Sequence, residues 1–170
     1  MVDYIKKERP SHVILAGAWS TYVAWPADSD PGLRKRKFST ALRETLAGLA
    51  PSGARIWIVS EPPRHGQHIP RILARKELFG VEPGGLLADQ KEYLRQQADV
   101  CSAWDGIIPG SARMIAAAEW LKGPDGSFVV EVEGYPLYRD DVHLSERGSL
   151  YLRDAFSVLL LPELKPMAAP

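Results

Sequence analysis

The segment best suited to acid/base chemistry is residues 138–145, YRDDVHLS. It places Asp140 three residues before His143, so a single turn of chain can bring the carboxylate to the imidazole. In nucleophilic catalysis, a histidine takes a proton through one ring nitrogen while a carboxylate on the other nitrogen fixes its tautomer and stabilises the imidazolium. Asp140 and His143 are therefore the candidate catalytic pair. The spacing alone leaves a second interpretation open, in which Asp140 and Asp141 are solvated turn residues and His143 lies at the entry to a helix.

Two histidines and two serines elsewhere in the chain are weaker candidates. His65 and His68 have a spacing that suits two metal ligands, but no neighbouring cysteine or pair of carboxylates completes a site. A polar loop or a substrate-contacting loop explains them better, and we expect no bound metal. Ser20 and Ser60 each follow an apolar run, outside any recognisable nucleophile turn, so ordinary loop or capping roles are expected.

The elements that would position these residues alternate between strands and helices. Residues 13–19 (VILAGAW) and 54–60 (ARIWIVS) are short apolar runs typical of buried parallel strands. Between them, residues 35–50 carry apolar side chains at helical spacing. Strand, helix and strand make a βαβ unit, and ligands bind beyond the carboxyl ends of strands in such sheets.

The second half of the chain continues this pattern. Helices are predicted over residues 70–79 and 86–104, and a small hairpin over residues 128–138. Residues 112–115 suit a third strand, although residues 114–121 suit a helix equally well. Ser145 is expected to cap a final helix that runs to about residue 161. Together these elements predict one α/β domain over residues 1–170, with three layers and a mainly parallel sheet.

Composition and charge exclude several classes of function. Lysine and arginine together number 21, as do aspartate and glutamate, so no overall basic field favours nucleic acid. The single cysteine, Cys101, excludes an internal disulfide and a CxxC metal site. No secretion signal is recognisable at the amino terminus, and no window approaches the roughly 20 apolar residues of a membrane span. We expect no cofactor.

Three segments of the chain resemble a known family. PLYRDDVHLSERG, residues 136–148, is similar to the last block of SGNH, or GDSL-like, esterases and acyltransferases. VILAGAWSTY resembles a Leu-Ala-x-x-Trp-Ser strand of that family, and IWIVSEPP resembles its next strand. The resemblance is closest to the SGNH domain fused to membrane acyltransferases of the O-antigen acetylase type. It implies a flavodoxin-like SGNH-hydrolase fold, with Asp140 orienting His143 as the general base toward a serine.

Two departures from the family pattern bear on that expectation. Family members carry the nucleophilic serine in a Gly-Asp-Ser motif on their first strand, and this sequence contains no such motif. We therefore expect the chain to represent the carboxyl-terminal part of the domain, without the first strand and inactive alone. The alternative is a degenerate relative that naturally lacks the nucleophile. Many relatives also have a Gly-x-Asn-Asp oxyanion motif where this chain has Trp19 and Ser20. The Trp19 indole N–H or nearby backbone N–H groups are candidates for that role, and a core aromatic is the alternative.

The resemblance implies a serine esterase or O-acyltransferase that acts on acyl groups, most simply acetyl, of a cell-surface carbohydrate. Its partners would be an acylated carbohydrate or acyl donor and a membrane acyltransferase domain, on the periplasmic or other extracytoplasmic side. Self-association through the exposed first apolar strand is a further expectation. The competing hypothesis is a noncatalytic α/β binding or remnant domain in which Asp140 and His143 are structural.

Overall fold

The computed structural model describes residues 1–24, 30–83 and 87–160. In chain order, its helices and strands are α1 (Val2–Glu8), β1 (His12–Leu15), α2 (Trp19–Ala24), α3 (Pro31–Leu49), β2 (Arg55–Val59), α4 (Ile69–Phe79), α5 (Gln90–Trp104), α6 (Ile108–Ser111), β3 (Arg113–Ile115), α7 (Ala117–Trp120), β4 (Glu131–Val132), β5 (Tyr135–Pro136), α8 (Glu146–Tyr151) and α9 (Ser157–Leu160). Short 3₁₀ helices occupy Ala50–Ser52 and Arg153–Phe156. Among the described residues, no helix is both long and apolar enough to cross a membrane.

The chain divides into two compact units. The first comprises Met1–Glu61 and Gln97–Ile115, and the second comprises the described residues of Pro62–Gln96 and Ala116–Pro170. The first unit contains a parallel sheet of three strands in the order β1-β2-β3. This sheet and its flanking helices confirm the predicted α/β class with a parallel sheet.

The core of the first unit joins one face of the sheet to α3. Val13 of β1 and Ile56 and Ile58 of β2 belong to the same buried cluster as Leu46 and Leu49 of α3. The helix begins where expected on local grounds, because the Asp30 side chain accepts a hydrogen bond from the Leu33 backbone N–H and Pro31 follows directly. Its apolar stripe is the one that the sequence predicts.

Two predicted boundaries differ from the structure. The run at residues 13–19 is not one strand, because β1 ends at Leu15 and α2 begins at Trp19. The ambiguous run at residues 112–121 contains both predicted elements, as β3 is followed directly by α7. Helix α5 begins at Gln90, and residue 86, where its start was predicted, lies outside the described residues.

In the second unit, the predicted hairpin is present as β4 and β5, which pair in antiparallel fashion. Its two turn residues, Glu133 and Gly134, have φ angles of 52° and 79°. Positive φ at both central residues is the requirement of the type I′ turn that best fits the twist of a hairpin. The chain leaves β5 through Leu137 and Tyr138, whose side chains are almost completely buried.

The final helix is capped as predicted but is not continuous. The Ser145 side chain accepts a hydrogen bond from the Gly148 backbone N–H, which makes Ser145 the N-cap of α8. Helix α8 ends at Tyr151, and a 3₁₀ helix separates it from α9. Residue 161, the predicted end, lies outside the described residues.

Candidate active site

Asp140 and His143 lie in a closed loop of the second unit, residues 138–144, which we call the Asp140–His143 loop. Tyr138 and Leu144 form an antiparallel bridge at its base. Directly above this bridge, the Arg139 backbone N–H donates to the His143 carbonyl at 2.9 Å. The two backbone contacts hold both ends of the loop together, so the candidate pair lies on a short, tethered segment of chain.

The Asp140 carboxylate is the acceptor around which this loop is built. Its Oδ1 accepts from the backbone N–H groups of His143 at 2.7 Å and Val142 at 2.9 Å, and its Oδ2 lies 2.7 Å from His143 Nδ1. The His143 and Val142 backbone hydrogen bonds, followed by that of the His143 ring, lower the pKa of the Asp140 carboxyl well below its ordinary value. Asp140 is therefore ionised at neutral pH.

An ionised Asp140 determines which nitrogen of His143 carries a proton. Because a carboxylate only accepts hydrogen bonds, the nitrogen that faces it, Nδ1, must donate. In the neutral ring, Nε2 then has a free lone pair, on a side chain that is 60% exposed. This is the arrangement that a general base needs, with one nitrogen oriented by a carboxylate and the other accessible.

Two residues that follow the loop explain why it needs this local sequence. The Ser145 backbone N–H donates to the Leu137 carbonyl at 2.9 Å, and its hydroxyl donates to the Pro136 carbonyl at 2.8 Å. Gly148 packs so closely that a Cβ there would lie 1.9 Å from the Leu137 carbonyl oxygen. Residues 143–148 follow the pattern HLSxxG, and its serine and glycine therefore hold the loop and the start of α8 against the chain that leaves β5.

The histidines of the predicted polar loop have unlike environments. His65 is 2% exposed, whereas His68 is exposed at the amino terminus of α4. In the part of the chain that the structure describes, no group of three or more histidine, cysteine and carboxylate side chains could hold a metal ion. No local pattern indicates that His65 is buried, because its sequence neighbours are mainly polar, glycine or proline.

Trp19 and Ser20 lie in the first unit, at the start of α2. The Trp19 ring is almost completely buried in the core, and its indole N–H donates to the Val59 carbonyl at 2.8 Å. The indole N–H is thus already hydrogen-bonded within the fold. An oxyanion role at Trp19 stays a prediction, and it now depends on the nearby backbone N–H groups. The Ser20 hydroxyl and backbone N–H both donate to Glu61, at 2.9 Å each.

Glu61 is a residue whose structural role sequence reasoning missed. Its carboxylate receives both Ser20 donors and a third hydrogen bond, at 3.0 Å, from the side chain of the buried Gln97. A carboxylate that caps the first turn of a helix is favourable electrostatically. No local signal could have found it, since Ser20 and Glu61 are 41 residues apart. Ser60 beside it is buried, and its backbone N–H donates to the Ile115 carbonyl.

Comparison with known proteins gives a family and a fold. Residues 1–157 match the family described as "SGNH domain (fused to AT3 domains)". Among solved structures, the chain is similar to the lipopolysaccharide acetyltransferase periplasmic domain of Salmonella ser. Paratyphi A, with a TM-score of 0.67 and 17% identity. The match covers 94% of this chain and 60% of that one, so the chain spans about three fifths of its neighbour's length. The search of curated proteins found no match. Because the family match covers most of its length, the chain belongs to the SGNH family with that description.

Proposed function

We propose that this chain supplies the acid/base part of an SGNH-type serine esterase or O-acyltransferase. The reaction moves or cleaves acyl groups, most simply acetyl, on a carbohydrate through an acyl-serine intermediate. His143 is the general base toward the serine and later returns the proton to the leaving group, and Asp140 holds its ring. The observation that carries the proposal is the 2.7 Å contact between Asp140 Oδ2 and Nδ1 of an exposed His143 ring.

Family membership supports an acyl-related function for the chain. The carbohydrate substrate is a finer inference, prompted by the fold neighbour, which is a lipopolysaccharide acetyltransferase periplasmic domain. We also propose that the site lies on the periplasmic or another extracytoplasmic side, beside a membrane acyltransferase domain. The periplasmic fold neighbour and the family description support this proposal. The partners are then an acylated carbohydrate and an acyl donor.

The serine itself is not assigned to any of these 170 residues, which contain no Gly-Asp-Ser motif. Ser20 and Ser60 are poor nucleophile candidates, because Ser20 donates to Glu61 and Ser60 is buried. A base without its nucleophile retains little of a triad's effect. The chain alone should therefore show negligible hydrolysis of p-nitrophenyl acetate, measured as p-nitrophenolate release. Turnover well above buffer that Ser20→Ala or Ser60→Ala abolishes would assign the nucleophile to this chain instead.

The competing function is a noncatalytic binding or remnant domain that shares the fold. Nuclear magnetic resonance of the chain labelled with ¹⁵N-histidine separates the two hypotheses. An acetylated xylo-oligosaccharide should shift the ring-nitrogen signals of His143, and the same oligosaccharide after chemical deacetylation should shift them much less. Asp140→Asn is the matched control, because it changes the orientation of the ring without removing it.

Each outcome of that titration has a meaning. A response of His143 to the acetylated ligand alone supports an acyl site. Binding that shifts other residues and leaves His143 unchanged would support the noncatalytic domain, and no binding at millimolar ligand would contradict the carbohydrate substrate.

Self-association is a separate part of the proposal and depends on β1. Among the described residues, β1 pairs with β2 on one side only, and Ile14 on this strand is 45% exposed. An unpaired strand edge that carries apolar surface is a template for pairing with another chain. A second copy of this chain is the occupant that we propose for that edge.

A further inference from the structure

The buried ring of His65 is held by a hydrogen bond from the backbone of a distant segment. Its Nδ1 accepts from the Ala88 N–H at 3.1 Å, and both residues are nearly inaccessible to solvent. A buried backbone donor without a partner is costly, so this position requires an acceptor as well as a side chain of suitable size. An apolar residue at position 65 would leave the Ala88 N–H unpaired.

This contact fixes the protonation of the ring. If Nδ1 accepts, the neutral ring must carry its proton on Nε2. Burial lowers the pKa of His65 to about 4, against a smaller opposite effect of the Asp141 carboxylate. Asp141 and Tyr138 are titratable side chains that face the ring, and burial keeps the Tyr138 phenol neutral by raising its pKa. His65 is therefore a neutral acceptor near pH 7.

The segment that begins at His65 also holds the Asp140–His143 loop through the backbone. The His65 N–H donates to the Asp141 carbonyl at 2.9 Å, and the Ile69 N–H donates to the Asp140 carbonyl at 3.1 Å. Two successive carbonyls of the loop thus receive donors from one segment, residues 65–69. Where this segment lies therefore determines where the candidate catalytic loop lies.

The His65 ring contacts the base of the same loop as well. It meets the Tyr138 ring edge to face, with centroids 4.7 Å apart and an interplanar angle of 85°. Tyr138 is completely buried and pairs with Leu144 at the bridge that closes the loop. The ring thus packs against the base of the loop, while the His65 backbone N–H donates to the Asp141 carbonyl.

We propose that His65 is a positioning residue for the acid/base pair. Its ring acts as a neutral hydrogen-bond acceptor that holds residues 65–69 against the Asp140–His143 loop. A role of His65 in catalysis rests on the proposed function, but its effect on the position of the Asp140–His143 loop does not. An experiment that reads the loop directly, without substrate, therefore separates failure of this inference from failure of the proposed function.

Two variants of the full chain test the role of the acceptor. In His65→Asn, the side-chain oxygen can replace Nδ1 as the acceptor for Ala88, whereas His65→Leu fills space but accepts nothing. Amide hydrogen exchange is followed at neutral pH for Val142 and His143, whose N–H groups donate to Asp140 Oδ1. The Glu119 amide is the internal control, because it donates to the Ala116 carbonyl in a local turn of the same unit.

In the leucine variant, the amides of Val142 and His143 should exchange about tenfold faster and the Glu119 amide at an unchanged rate, while the asparagine variant behaves as wild type. Equal acceleration at Glu119 would show general destabilisation and overturn the positioning role. An unchanged leucine variant would overturn it too, and so would an asparagine variant that behaves like leucine. The ¹⁵N signals of the wild-type ring give a test that needs no variant, because a proton on His65 Nδ1 would refute the proposed acceptor.

Discussion

Replacement of Gly148 by alanine sets two physical effects against each other. Gly148 lies within α8, where alanine is favoured over glycine by up to about 1 kcal/mol. The new Cβ, however, would lie 1.9 Å from the Leu137 oxygen and 2.9 Å from its carbonyl carbon. Those atoms belong to the backbone, so the strain cannot be relieved by rotation of a side chain.

The steric effect should outweigh the gain in helix propensity. An ordinary contact of 3.4 Å, in place of 1.9 Å, requires a displacement of roughly 1.5 Å, and overpacking of this kind costs about 1–3 kcal/mol. The Leu137 carbonyl also accepts the Ser145 N–H, and loss of that hydrogen bond adds about 1 kcal/mol. After subtraction of the helix term, we expect Gly148→Ala to lower the free energy of unfolding by about 1–3 kcal/mol. For a chain of this length, Tm should then fall by about 3–9 °C.

Thermal denaturation followed by circular dichroism measures this effect against a matched control. Gly48 lies near the end of α3, where a Cβ would meet only Val2 Cγ1 at an ordinary 3.4 Å. Gly48→Ala should therefore leave Tm unchanged or raise it by a few degrees. If Gly148→Ala is as stable as wild type, the close approach to Leu137 is not a constraint and the explanation of the HLSxxG pattern is wrong.

Three further predictions concern charge and the exposed edge. The pKa of His65 in the folded chain, about 4, lies below the 6.5 of a free histidine, so the unfolded chain binds the proton first as pH falls. The free energy of unfolding should therefore fall by up to about 3 kcal/mol between pH 6.5 and pH 4, and urea titrations of His65→Asn should lack this pH-dependent loss. Asp140 also has a lowered pKa in the folded chain, so it stabilises the fold above its ordinary pKa of 3.8, and this stabilisation is lost as pH falls below that value. Acid unfolding of Asp140→Asn, followed by fluorescence, should show a shallower transition, and an unchanged transition would contradict the assigned hydrogen bonds. Ile14→Lys should reduce concentration-dependent light scattering, and a wild-type chain that is monomeric at all concentrations would refute pairing through β1.

The elements that the sequence predicted well are those specified by local patterns. The stripe of Leu42, Leu46 and Leu49 identifies α3, and the apolar run of β2 agrees with the structure to within a residue at each end. Trp19 shows the limit of this reasoning. An unbroken apolar run gave no reason to stop the strand at Leu15, and α2 starts where Ser20 meets Glu61, a contact between distant residues.

The same distinction applies to the candidate site. Asp140 and His143 are three residues apart, and the interactions that join them lie almost wholly within four residues, so spacing and residue type were enough to suggest the pair. The role of His65 was hidden, because its partners Ala88 and Asp141 are far away in sequence. A polar sequence around a histidine predicts exposure, whereas this ring is buried through contacts that only the folded chain creates.

Geometry and placement of the acid/base pair therefore have different physical origins. Asp140 uses one carboxylate oxygen to shape its own turn and the other to orient His143, so the protonation of the ring is fixed within the loop. The carbonyls of Asp140 and Asp141 face the other way and accept donors from residues 65–69. Because a base must be correct in protonation and position at once, neither set of contacts is sufficient alone. A chain that kept the DxxH spacing but lacked the donors from residues 65–69 would still form the pair, yet nothing in that segment would fix where His143 presents its free nitrogen.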